Sequence, residues 1–292
     1  MAQATGAQVE TSTIQTGDYA THLNRAGAGN EEAVLFLHGS GPGVVSWSNW
    51  QFALPALGER YDCLSPDLVG FGNTQHPDEG GYPEDMPAWM DVWVEQSIAL
   101  LDGLGIEKAH LVGNSMGGAV ALHLVDRYPD RFGKMAMMGP LGPPHEISEQ
   151  IDDIWGFYED PTPEHMKQVI NYFAYDPVAT VGEDLDNIAK MRTEAAMTPE
   201  VRRSFEAMFP RPRQKAIDGV ALPEGAYEKM TRPALLVHGR DDHIVPLETS
   251  LYLLDRLPQV QLHVFGQCSH WTMIEYKEAF NELLLDFFDG TL

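Results

Sequence analysis

The sequence predicts an α/β fold: a mostly parallel, doubly wound sheet with an inserted helical lid. Three observations carry this expectation. Short apolar runs of strand length alternate with longer amphipathic stretches, the pattern of successive strand–helix crossovers. None of those runs approaches the roughly 18 to 20 residues of a membrane span. One long interval between two of them is helical and proline-punctuated instead.

Taken in order, TIQTGDYATHLN near the start holds a Gly-Asp turn between alternating residues and reads as a hairpin. AVLFLHG (33–39), YDCLSPD (61–67), AHLVGN (109–114), KMAMMG (134–139), ALLVHG (234–239) and QLHVFG (261–266) read as buried strands. WMDVWVEQSIALLDGLG (89–105) and MGGAVALHLVDRY (116–128) carry helical spacing between them. The interrupting interval opens with PLGPPHE, and DPTPE and MFPRPRQ break it into the helical pieces DDIWGFYED, PEHMKQVINYFAYD and DNIAKMRTEAA. Both its ends return to sheet strands, so residues 1–140 and 230–292 are expected to form the core and 141–229 the lid. The alternative is a second, independent domain.

Composition narrows the function. A chain of 292 residues, 43% hydrophobic, can build one large α/β core with an insertion. Its net charge of −24 repels phosphate backbones and argues against nucleic acid as a partner. The same field opposes an anionic small molecule unless a local cation overcomes it. The first 12 residues lack the basic and apolar regions of a signal peptide. Cys63 and Cys268 lie far apart and form no CxxC pair, so a reduced, cytoplasmic protein is expected rather than a disulfide framework or zinc site.

GNSMG (113–117) fits G-x-S-x-G, with Gly118 following. The pattern alone is weak, but an apolar strand precedes it and an amphipathic helix follows, the setting of a nucleophile elbow. Ser115 is therefore the candidate nucleophile, and a serine hydroxyl needs a base. The expected chain order is Ser, acid, His. LLVHGRDDHIVP offers Asp242, with Asp241 as the alternative, and FGQCSHW offers His270 in a loop after the next strand. His38, in LFLHGSGPG, reads as structural. The backbone N–H groups of Ser40 and Met116 are the expected oxyanion hole. SGPG is not a phosphate loop, because no GK[ST] follows.

HGSGPGVVSWSNW, GNSMGGA, MRTEAAMTPEVRRSFEAMFP, HGRDDHIVPL and LHVFGQCSHW together resemble the meta-cleavage product hydrolases of bacterial aromatic catabolism. These belong to the α/β-hydrolase superfamily. The likeness runs from roughly residue 30 to 289, and NYFAYDP and MFPRPRQ look most like members acting on products of single-ring aromatics. The resemblance implies cleavage of the C5–C6 bond of 2-hydroxy-6-oxohexa-2,4-dienoate-type compounds. It further implies a small anionic dienoate as partner, a homodimer or higher homo-oligomer, and neither metal nor organic cofactor. Arg192 matches the family's lid arginine, expected to hold the substrate carboxylate, which answers the charge problem. Asn114, Asn49, Gly41 and Trp271 match further substrate-binding positions, although Asn114 could instead stabilise the elbow. The sequence departs from the family in one place: Ser269 stands where a glycine usually precedes the histidine. The competing readings are a carboxylesterase with the same triad and a non-catalytic binding protein of the same fold. The latter commonly lacks a triad residue. Haloalkane dehalogenases and epoxide hydrolases use an aspartate nucleophile, which Ser115 argues against.

Overall fold

The structure, a computed structural model, describes residues 6–182 and 184–292. Residues 1–5 and Glu183 of the expected lid lie outside the described residues. Eight strands form one sheet in the order β1-β2-β4-β3-β5-β6-β7-β8. They are β1 (Val9–Thr16), β2 (Tyr19–Ala26), β3 (Ala33–Leu37), β4 (Asp62–Pro66), β5 (Ala109–Asn114), β6 (Phe132–Met138), β7 (Ala234–Gly239) and β8 (Val260–Phe265). The Gly-Asp turn makes the expected hairpin, with Thr16 opposite Tyr19, and β2 also runs antiparallel to β4. From β4 through β8 every pairing is parallel.

Each strand read from the sequence is present, with shifted ends. β6 begins at Phe132 rather than 134, because Phe132 pairs with Ala109 across a register irregularity. Every residue of β3, β4 and β7 is buried, as helices on both faces of a parallel sheet require. The first long helix spans Met86–Gly103 and starts ahead of the apolar spacing. Asp85 supplies the reason: its side chain accepts from Ala88 N, and a proline stands in the first turn. The helix Met116–Arg127 buries every residue from Met116 to Val125 beneath the sheet. Two short helices after β3, Ser46–Trp50 and Ala53–Leu57, and the last helix, Lys277–Asp289, were not anticipated.

The chain between β6 and β7 is helical, as expected. Its α-helices span Glu149–Trp155, Pro163–Phe173, Pro177–Val181, Leu185–Ala196, Pro199–Met208 and Gln214–Val220. Ser148 and Thr162 cap the first two through Ile151 N and His165 N. The parallel strands put β3, β5, β7 and β8 carboxyl ends on one edge. Loops there carry Gly39–Gly43, Ser115, Asp242 and His270, the position where open α/β sheets bind ligands.

Candidate active site

Ser115 follows β5 directly and opens the helix Met116–Arg127. Its φ of 54° and ψ of −116° are strained for a residue with a Cβ. The surroundings hold it there. Its amide donates to Met138 O at 3.0 Å, and its carbonyl accepts from Gly118 N at 2.9 Å and Leu141 N at 3.0 Å. The turn is so tight that a Cβ on Gly117 would stand 2.1 Å from Leu37 O of β3. That close approach is the physical need behind the glycine after the serine.

His270 donates through Nδ1 to Asp242 Oδ2 at 2.7 Å, and both side chains are 1% exposed. The other carboxylate oxygen, Oδ1, accepts from Ile244 N at 2.8 Å and Val245 N at 3.0 Å. Burial alone would raise the Asp242 carboxyl, but the His270 contact and these amides hold it below its ordinary range. An ionised Asp242 fixes the proton on Nδ1, so Nε2 is left as the base nitrogen. That nitrogen is buried without a hydrogen-bond partner among the described residues, and it lines one cavity with Ser115. Gly139 makes room for the pair: with φ at +48°, a Cβ there would meet His270 at 2.9 Å and Asp242 Oδ2 at 3.1 Å. Asp241 turns elsewhere, accepting from Arg240 Nη2 at 3.1 Å and Gln267 N at 2.9 Å. Asp242→Asn is therefore expected to lower kcat by about 10³- to 10⁴-fold, the scale of a wrong imidazole tautomer. Asp241→Asn should change it by no more than roughly threefold, since Asp241 touches neither His270 nor Ser115. Steady-state kinetics on the two variants separate them, and equal losses would reassign the acid.

The cavity beside Ser115 gathers Ser40, Gly41, Asn49, Asn114, Arg192 and Trp271 around the nucleophile and base. Every binding position expected from the sequence converges here. Arg192 reaches in from the helix Leu185–Ala196 and donates from Nε to Pro42 O at 3.1 Å. Its guanidinium lies 5.7 Å from the Phe173 ring and 5.8 Å from the Trp271 ring. No acidic side chain pairs with it among the described residues, and burial pushes its pKa down to about 10. It stays charged at neutral pH. A side chain at Gly41 would stand 2.9 Å from Arg192 Nη2, so the loop must be bare where the cation enters.

The asparagines divide their work. Asn49 Oδ1 accepts from Gly39 N at 2.9 Å and shapes the loop, which leaves its NH₂ for a ligand. Asn114 Nδ2 donates to Met138 O at 3.3 Å, so it too steadies the elbow while facing the cavity. His38 is structural, as expected: fully buried, it accepts from Leu68 N at 3.0 Å and contacts Gly39 O at 2.8 Å.

A second cavity shares Ser40, Ser115 and Phe173 with the first, but its other walls are Leu141, Ile151, Ile154, Trp155 and Ile244. Ser115 thus stands between a cationic, polar compartment and an apolar one. Trp155 and Phe173 went unnoticed in the sequence because an aromatic residue on an amphipathic helix reads as core. A larger groove of about 1390 Å³ lies on the outer face of the β6–β7 connection. Acidic residues line it, including Glu149, Asp152, Glu159 and Glu164, and neither Ser115 nor His270 reaches it. It suits no anion.

A family model for the alpha/beta hydrolase fold matches residues 32–161 and 165–276. The chain is also 41% identical to the 2-hydroxymuconate semialdehyde hydrolase of Pseudomonas sp. (strain CF600), over 91% of its own length and 89% of the relative's. This chain belongs to the meta-cleavage product hydrolases. Solved structures superpose along nearly the whole chain. The meta-cleavage product hydrolase of Pseudomonas fluorescens IP01 has a TM-score of 0.88 at 37% identity, covering 96% of this chain and 98% of that one. A serine hydrolase from the polyaromatic hydrocarbon-degrading bacterium Cycloclasticus zankles has a TM-score of 0.94 at 46% identity, covering 98% and 99%. No helix among the described residues is long and apolar enough to cross a membrane.

Proposed function

We propose that this meta-cleavage product hydrolase cleaves the C5–C6 bond of 2-hydroxy-6-oxohexa-2,4-dienoate-type compounds, with residues 141–229 as its lid. One observation carries the reading: an arginine with no acidic partner among the described residues, clasped by two aromatic rings, shares the cavity of Ser115 and His270. In a chain of net charge −24, a desolvated cation without a partner is a site for an anionic group. A simple esterase has no use for it. Both cysteines are free and buried, which suits the reducing cytoplasm.

The steps follow from the chemistry. An ordinary ketone resists hydrolysis because a carbanion is a poor leaving group. Here the dienol first tautomerises to the 2,6-diketone, so the departing electron pair is delocalised onto the 2-oxo group. Arg192 holds the carboxylate and 2-oxygen, and the C6 carbonyl lies over Ser115. Ser115 Oγ attacks C6 as its proton passes to His270 Nε2, and the Ser40 and Met116 N–H groups stabilise the oxyanion. The C5–C6 bond breaks, its electron pair passes through C5 to the 2-oxygen, and the resulting dienolate takes the proton from His270 on that oxygen. Water, activated by His270, then hydrolyses the acyl-serine. The products are 2-hydroxypenta-2,4-dienoate and a carboxylic acid.

The C6 substituent falls in the apolar cavity. Trp155 cannot swing aside: it stacks on Phe209 at 4.3 Å and 13° and donates from Nε1 to Ser40 Oγ at 3.0 Å. Small substituents fit best. In a panel of yellow dienolates with hydrogen, methyl, isopropyl or phenyl at C6, bleaching kcat/KM for hydrogen and methyl should exceed phenyl by at least about tenfold. Trp155→Ala should narrow that gap. Failure to bleach any panel member removes the C–C reading, and equal rates across it remove the size argument.

A further inference from the structure

Three backbone segments meet around one carboxylate just beyond His270. Glu275, at the end of the short helix Thr272–Glu275, accepts from Ser269 N through Oε1 at 2.8 Å and from Tyr175 N through Oε2 at 2.7 Å. Ser269 belongs to the catalytic-histidine loop, and Tyr175 to the chain leaving the helix Pro163–Phe173. Two further bonds run between the same segments: Ser269 Oγ donates to Tyr172 O at 3.0 Å, and Trp271 N donates to Phe173 O at 3.0 Å. The joined pieces hold the groups of the site. Phe173 lies 5.8 Å from the His270 ring and stacks on Trp271 at 4.9 Å. It is also one of the two rings under Arg192. Glu275 is half-buried, and its charge is met by amides and by the Cys268 thiol, whose Sγ lies 3.6 Å from Oε1, rather than by a cation. Burial raises its carboxyl above the usual range while those amides pull it down. A desolvated carboxylate is costly to keep, and a surface role would not require it.

We infer that Glu275 is a positioning residue for the reaction: it locks the His270 loop to the lid, with the Ser269 hydroxyl as a second tie, so that base, Phe173 and Arg192 are set as one unit. Ser269 thus gains a function where the family's glycine has no side chain. Each Glu275 oxygen faces an N–H donor, so a glutamine there must lose one tie, since its NH₂ cannot accept. This deepens the proposed function and rests on it for the dienoate, but the latch acts on His270 whatever the acyl substrate.

The test measures Glu275→Gln and Ser269→Ala against the wild type on a 6-methyl dienolate and on p-nitrophenyl acetate, with circular dichroism and a melting curve for each. A base misplaced by a fraction of an ångström acts on turnover. Glu275→Gln should lower kcat roughly 10- to 100-fold on both substrates, with KM for the ester changed less than about threefold. Ser269→Ala should lose roughly three- to tenfold by the same route. A folded Glu275→Gln keeping kcat within about twofold on both substrates overturns the latch, as does a loss seen in KM alone. Should Glu275→Gln fail to fold, Ser269→Ala decides: wild-type kcat on both substrates overturns the inference. The ester comparison stands even if the wild type cleaves no dienoate, so the two readings fail separately.

Discussion

Ser115→Ala is expected to remove dienoate cleavage almost entirely, by about a millionfold in kcat, the scale of deleting a triad nucleophile. The loss is chemical rather than structural. Alanine keeps the Cβ, so the strain of a residue at φ 54° is unchanged, and the amide and carbonyl bonds to Met138, Gly118 and Leu141 remain. His270 stays paired with Asp242 at 2.7 Å, but its Nε2 has no hydroxyl to activate. The cationic compartment is untouched, so the variant should still bind the dienoate and shift its visible spectrum. Single-turnover absorbance on the purified variant checks both halves. Turnover above a few per cent of wild type would mean that another group is the nucleophile.

Arg192→Ala should damage dienoate turnover and spare neutral esters. Removing one partner of a desolvated ion pair costs about 3 to 4 kcal/mol, or roughly 150- to 900-fold in kcat/KM. p-Nitrophenyl acetate carries no carboxylate, so its kcat/KM should change by less than about fivefold. The cation also packs on Phe173 and Trp271 and donates to Pro42 O, so some loss of order is expected, and Arg192→Lys addresses it. Lysine keeps the charge and much of the bulk but lacks the planar fork, so rescue should be partial. The deciding quantity is the ratio of the two losses on a variant with wild-type circular dichroism. A ratio near one would make Arg192 a support of the lid alone.

Much of this was legible in the sequence because catalysis constrains short segments tightly. The elbow needs small residues around Ser115, and the Gly117 approach to Leu37 O shows why the motif is visible as text. Short apolar runs found the six parallel-sheet strands and the Gly-Asp turn the hairpin, while the start of the helix Met86–Gly103 was missed because the Asp85 cap decides it. Asp242 was the preferred acid with adjacent Asp241 the alternative, and the turn after β7 sends Asp242 to His270 and Asp241 to Gln267 N. The apolar compartment was not legible. Leu141, Ile151, Trp155 and Ile244 come from distant segments, and each alone reads as ordinary core. Glu275 was invisible for the opposite reason, since an acidic residue on a C-terminal helix reads as solvated surface. Ser269 stood out against the family pattern, but its hydroxyl acquires meaning only through Tyr172 O.

The most direct test is a stoichiometric conversion by the wild-type enzyme. A 6-methyl or 6-hydrogen dienolate is mixed with catalytic enzyme, bleaching is followed to completion, and the products are identified by chromatography and NMR. C5–C6 hydrolysis requires one 2-hydroxypenta-2,4-dienoate and one acetate or formate for each dienolate consumed, with the proton added by ketonisation retained at C5. Bleaching that yields only the diketone tautomer, or no bleaching beside brisk ester hydrolysis, would contradict the account.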